Sequence, residues 1–179
     1  MTVLIVPDLD EEPWPTLGPQ VCWWIEQNLV HGPGDIRGER VKLNPEQRAA
    51  IYRMYEVRPR DVPAAGRRRF KRAALSWRKG TAKTEFAAFI AAVELHPEGP
   101  VRCVGWDGNG NPLGGAVRDP YIPLVAYTEE QSDELCYGAL LAILQECRAG
   151  QAFDLGLERI MRKDGAGRAV SLAGAPNAR

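Results

Sequence analysis

The sequence predicts an α/β fold: a mostly parallel sheet with flanking helices that cross over between strands. Two observations carry this. Segments with apolar residues at helical spacing alternate with short apolar runs, in the order strand, loop, helix, strand, strand, helix. Each segment is bounded by Pro/Gly turns or by a helix cap rather than by a long polar linker. At 179 residues, 45% hydrophobic and 26% charged, the chain is near the length of one domain and can bury a core without staples.

From Gly18, residues Val21, Trp24, Ile25 and Leu29 follow helical spacing, and His31-Gly32-Pro33-Gly34 ends the pattern. The tryptophans read as core. A second helix opens at Asn44, an N-cap residue with Pro45 at the first helical position and Gln47 at the third. Pro59, Pro63 and Gly66 close it. Phe70 to Ser76 reads as a strand, Trp77 to Lys83 as a loop, and Thr84 to Leu95 as an alanine-rich helix stopped by His96-Pro97. Strands follow at 101–104 and 122–127, separated by the turn 107–112. Thr128-Glu129-Glu130-Gln131 forms a capping box for a helix running to about Arg148. A hairpin, 157–162 with 168–172, turns at Asp164-Gly165.

The net charge is zero, with 23 cations against 23 anions, yet the charge is unevenly distributed. No Lys or Arg precedes Arg37. Ten cations lie between Arg58 and Lys83 (Arg58, Arg60, Arg67, Arg68, Arg69, Lys71, Arg72, Arg78, Lys79, Lys83), opposed there only by Asp61. If they share a face they attract a polyanion, with Arg67, Arg68 and Arg69 as candidate DNA contacts; the alternative is a solvated loop and strand edge. Cys22, Cys103, Cys136 and Cys147 form no C-x-x-C pair and read as reduced core thiols. The N-terminal apolar run is five residues, 3–7, and no segment reaches membrane-spanning length, so an intracellular protein is expected.

Between the predicted strand and helix lies Leu75-Ser76-Trp77-Arg78-Lys79-Gly80-Thr81-Ala82-Lys83-Thr84-Glu85. A phosphate-binding loop needs this setting, because backbone N–H groups and a helix N-terminus cradle the phosphates while a Lys reaches them and a hydroxyl holds Mg²⁺. Lys83 and Thr84 stand where the Lys and Ser/Thr of G-x-x-x-x-G-K-[ST] belong. Trp77 and Ala82 replace its two glycines, with Gly80 inside the loop instead. A plain basic turn is the other reading. Asp107, Asn109 and Asn111 imitate a calcium loop, but Pro112 replaces its Gly and Arg118 its Glu, so the segment reads as a polar turn. His31 and His96 lie at helix ends and read as capping or solvent-facing.

The stretch Arg78 to Phe86, the Gln47 region, and especially Asp119-Pro120-Tyr121-Ile122-Pro123-Leu124-Val125-Ala126-Tyr127-Thr128-Glu129-Glu130-Gln131-Ser132 resemble the N-terminal part of the large terminase subunits of tailed bacteriophages, in particular those of actinobacterial phages. The resemblance runs from about Trp14 to the C-terminus. It implies a P-loop NTPase-like core and an ATP-driven motor packaging double-stranded DNA in the host cytoplasm, with portal and small terminase subunits as partners and a possible homo-oligomer. It also implies that Lys83 and Thr84 bind phosphate and Mg²⁺ within a loop contributed by Gly80, Thr81 and Ala82. Arg78 or Lys79 would sense the γ-phosphate. Gln47 would contact adenine, although on spacing it is equally a helix-cap residue.

The chain departs from that family in lacking an apolar strand ending in Asp-Glu after Lys83, which hydrolysis requires. Asp133-Glu134 falls within the predicted helix, and Asp154 follows only Ala152-Phe153. The expected organisation is therefore an N-terminal helical segment and linker, 1–66, and a partial ATPase core, 67–179, incomplete at the C-terminus. Besides an ATP-binding fragment of a packaging motor, the sequence admits a non-catalytic nucleic-acid-binding module built on the 58–83 tract, or an inert remnant.

Overall fold

A computed structural model describes residues 14–126 and 136–173. The N-terminal apolar run, the capping box at Thr128 to Gln131 and the Asp133-Glu134 pair lie outside the described residues. Four α-helices are described: α1 (Gly18–Asn28), α2 (Pro45–Met54), α3 (Lys83–Leu95) and α4 (Cys136–Glu146). They combine with β1 (Arg102–Trp106), β2 (Pro112–Gly115), β3 (Tyr121–Ala126), β4 (Phe153–Leu155), β5 (Arg159–Arg162) and β6 (Arg168–Ala173) into a mixed α/β fold.

Local chemistry accounts for the helix starts. In α2 the Asn44 side chain accepts from the Gln47 N–H at 2.8 Å, and the Gln47 side chain accepts from the Asn44 N–H at 3.0 Å, so the predicted reciprocal cap is formed. In α1, Thr16 Oγ1 accepts from the Gly18 N–H at 3.0 Å, and Pro19 occupies the first turn. Gly18 meets α2 closely: a Cβ there would lie 2.6 Å from the Tyr52 Cα. That approach leaves no room for a larger residue.

The sheets correct the expected mostly parallel arrangement. β1 and β2 form an antiparallel pair, and the second sheet has the order β3-β6-β5-β4, in which only β3 and β6 run parallel. The reason is connection length. Short turns join β1 to β2, β4 to β5 and β5 to β6, and short turns permit only antiparallel pairing, whereas β3 reaches β6 through α4 and the hairpin. The expected strand at 70–76 is also absent: the segment carries no ladder partner among the described residues.

Helix α3 is central. It packs on α4, on α1 and on β3 and β6, burying Phe86, Phe89, Ala92, Val93 and Leu95. One continuous core joins these residues to Leu17, Ile25, Leu29, Ile51 and Tyr55 on one side and to Leu140, Ile143, Phe153, Ile160 and Ala169 on the other. This packing fixes the axis of α3, and with it the direction in which its N-terminus faces.

Candidate functional site

The loop ahead of α3 is shaped by two left-handed residues. Gly80 has φ +84°, and Ala82, the N-cap of α3, has φ 51° and ψ 38°. Glycine adopts that region freely, while alanine does so at a cost of about 1 kcal/mol. Ala82 carries no acceptor, so no side chain caps the first turn of α3, and the first intrahelical bond is that of the Phe86 N–H to the Ala82 carbonyl at 2.9 Å. The backbone N–H groups opening α3 thus lack the oxygen acceptor that an Asn or Ser cap would supply.

Lys83 bends back over this loop. Its Nζ donates to the carbonyls of Trp77 at 2.8 Å and Arg78 at 2.9 Å, and Thr81 Oγ1 donates to the same Arg78 carbonyl at 2.8 Å. Residues 77–83 therefore close on one ammonium group. Trp77 anchors the start of the loop: it is buried, and its ring meets Phe86 edge-on at 4.9 Å. A tryptophan in the first glycine position is thus a packing residue. Arg78 and Lys79 are exposed on the outside of the loop, and Thr84 is half-buried one residue beyond Lys83.

The carboxylate of Glu85 is engaged by the α1–α2 connection. Its Oε1 accepts from the Gly32 N–H at 2.8 Å and lies 3.2 Å from His31 Nδ1. His31 thus makes a specific polar contact with α3, which its helix-end position in the sequence did not disclose. Gln47, the adenine candidate, is buried with its side-chain oxygen engaged in the α2 cap.

The basic tract divides into two kinds of residue. Arg68 donates to Glu94 Oε1 and to the Val101 carbonyl and covers the Tyr55 ring. Arg69 pairs with the buried Glu56 at 3.1 Å and stacks between Trp14 and Phe70. Arg58, Arg60, Arg67, Lys71, Arg72, Arg78, Lys79 and Lys83 are exposed. Of the arginine triplet, Arg67 is the member left facing solvent.

The cysteines are free thiols, and burial pushes those of Cys22 and Cys136 up to about 11. Asp107 accepts from the Asn109 and Asn111 N–H groups at 2.8 Å each and from the Asn111 amide at 2.9 Å, forming the expected polar turn. Among the described residues, no helix is long and apolar enough to cross a membrane.

No family model matches the sequence, and no curated protein sequence matches it. Among solved structures, the crystal structure of the large terminase of bacteriophage HK97 is similar in fold, with a TM-score of 0.62 and 17% identity over 92% of this chain. The matched region is 29% of that protein's length. The chain therefore has a terminase-like fold, as the resemblance at the sequence level implied, over less than a third of the terminase it matches.

Proposed function

We propose that the chain is a nucleotide-binding part of a viral DNA-packaging motor of the large-terminase kind, with ATP as ligand at the loop 77–84 and duplex DNA as its polyanionic partner. One observation carries the reading. An exposed lysine is folded into a loop of backbone carbonyls at the uncapped N-terminus of a helix whose N-cap residue is left-handed. A lysine at the start of a helix whose first turn has no side-chain cap supplies the two kinds of donor that a phosphate site uses. Phosphate oxygens would replace the Trp77 and Arg78 carbonyls around Lys83 Nζ, and the N–H groups of the first turn would donate to the same anion.

The donor set suits phosphate better than a metal alone. Thr84 offers one hydroxyl, enough to hold Mg²⁺ only together with the phosphate oxygens that would accompany it. Arg78 and Lys79, on the outer side of the loop, are the cations available to the terminal phosphate. Gly80, Thr81 and Ala82 contribute backbone. Gln47 as an adenine contact would have to use its amide nitrogen, since its oxygen serves the helix cap. The portal and small terminase subunit as partners, self-assembly, and action in the host cytoplasm belong to this same reading, by resemblance.

A second reading is favoured by the eight exposed cations of the 58–83 tract: a non-catalytic module that binds nucleic acid through backbone phosphates. Calorimetric titration with ATP and Mg²⁺ separates the two. The motor reading expects binding that Lys83→Ala reduces at least about tenfold, since a charge-assisted hydrogen bond to phosphate is removed, with the chain still folded although the two loop hydrogen bonds of Lys83 are lost. Undiminished ATP binding by the Lys83→Ala variant overturns the nucleotide site, and DNA binding without any nucleotide binding selects the second reading.

A further inference from the structure

The first turn of α3 contains one acid, Glu85, two residues after Lys83. Such a carboxylate is a liability at a phosphate site. At a helix N-terminus it is drawn to the same unpaired N–H groups that an incoming anion would use, and its charge repels that anion. Here it is held elsewhere. Glu85 Oε1 accepts from the Gly32 N–H at 2.8 Å and lies 3.2 Å from His31 Nδ1, with both side chains mostly buried.

The segment that holds Glu85 is itself braced. The His31 N–H donates to the Glu39 carbonyl at 2.7 Å and the Gly38 N–H to the His31 carbonyl at 3.0 Å, closing the α1–α2 connection on itself. Arg37 pairs with Glu146 at the end of α4. Gly32 is buried against α4, where a Cβ would lie 3.2 Å from Ile143 Cγ1, so its N–H is carried close to Glu85 by a backbone approach that favours glycine. The His31 ring meets Phe89, one turn along α3, edge-on at 6.0 Å.

We infer that His31 is a positioning residue for the phosphate loop: with the Gly32 N–H it turns the Glu85 carboxylate aside, leaving the helix N-terminus open to an anion. The inference rests on the nucleotide reading given above and adds to it a residue outside the loop. It makes Glu85 an internal competitor of the ligand, restrained by the α1–α2 connection.

Binding of inorganic tripolyphosphate to the full chain, measured by calorimetry beside thermal melts, tests it. His31→Ala leaves the carboxylate held by the Gly32 N–H alone and weakens binding by up to about tenfold, the scale of one uncompensated charge close to a multiply charged anion. Glu85→Gln binds at least as tightly as the unaltered chain. The double variant His31→Ala/Glu85→Gln recovers the affinity lost by His31→Ala, because no charge remains to compete. A role for His31 in packing alone predicts no recovery, and a double variant as weak as His31→Ala overturns the inference. Loss of binding in Glu85→Gln overturns it too, since Glu85 would then serve the ligand directly. If His31→Ala fails to fold, His31→Phe, alone and together with Glu85→Gln, makes the same comparison with a ring of similar size that cannot bond the carboxylate. If the unaltered chain binds no tripolyphosphate, the loop reading falls, and this inference with it.

Discussion

Arg68 Nη2 lies 2.5 Å from Glu94 Oε1, and its guanidinium sits 4.0 Å above the centroid of the Tyr55 ring, whose hydroxyl donates to the same carboxylate oxygen at 2.8 Å. An arginine from the basic tract thereby ties the end of α2 to α3. Burial disfavours its charge, but Glu94 and Tyr55 outweigh that effect and hold its pKa above the ordinary value.

Arg68→Ala should therefore act on stability before it acts on any ligand. Removing it leaves Glu94 mostly buried without its cation, at a cost of about 2 kcal/mol, less than for a fully buried pair because the arginine is a third exposed. Chemical denaturation reads this out. An unchanged midpoint would show the pair to be dispensable.

DNA binding should depend on the exposed members of the tract. Arg67, Lys71 and Arg72 replaced together by Ala should reduce the log-log salt slope of duplex binding by about 0.9 for each phosphate that is no longer neutralised, without lowering the melting temperature. Fluorescence anisotropy at several salt concentrations measures it, and an unchanged slope would remove these residues from the interface. Replacing Arg67, Arg68 and Arg69 together would confound binding with unfolding.

Ala82→Gly should stabilise the chain slightly, by up to about 0.5 kcal/mol. Alanine at φ 51° is strained, and glycine relieves that strain against the larger entropy that glycine loses on folding. Thermal denaturation decides the sign. A destabilised glycine variant would mean that the left-handed residue costs less than the freedom it removes.

His96 should make the fold sensitive to mild acid. It is buried between Trp24 and Phe153, and its Nδ1 accepts from the Glu98 N–H at 3.1 Å, a bond only the neutral ring can accept at that nitrogen. Burial first, then Arg162, lowers its pKa, against an opposing pull from Glu98. The unfolded chain, with an ordinary value near 6.5, takes up the proton first, so this contribution is complete above that pH and is lost as the pH falls towards the lowered native value. The melting temperature should drop between pH 7 and 5, and His96→Gln should flatten the drop. A His96→Gln profile parallel to that of the unaltered chain would assign the acid sensitivity to other groups.

Features set by neighbouring residues were legible in the sequence. The Asn44–Gln47 cap and the Asp164-Gly165 turn follow from residues within four positions of one another. Features set by distant partners were not. A strand at 70–76 needs a neighbour to pair with, and periodicity cannot supply one. Arg68 and Arg69 read as surface charge because Glu94 and Glu56 lie 26 and 13 positions away. His31 read as a helix-end residue because Glu85 lies 54 positions away. At the site, Lys83 and Thr84 were visible as residue types, while the left-handed Ala82 and the carbonyls around Lys83 emerged only from the backbone.

The parallel pairing of β3 with β6 also sets an order of events during folding. Tyr121 pairs with Arg168 across the whole of α4 and the β4–β5 hairpin, whereas β5 and β6 need close only a five-residue turn. Chain entropy opposes the long closure far more than the short one, so the hairpin is available as a template before β3 arrives. Helix α3, packed on both β3 and β6, gains that part of its support last. The sheet-facing side of α3 is therefore completed only after the β5–β6 hairpin has formed.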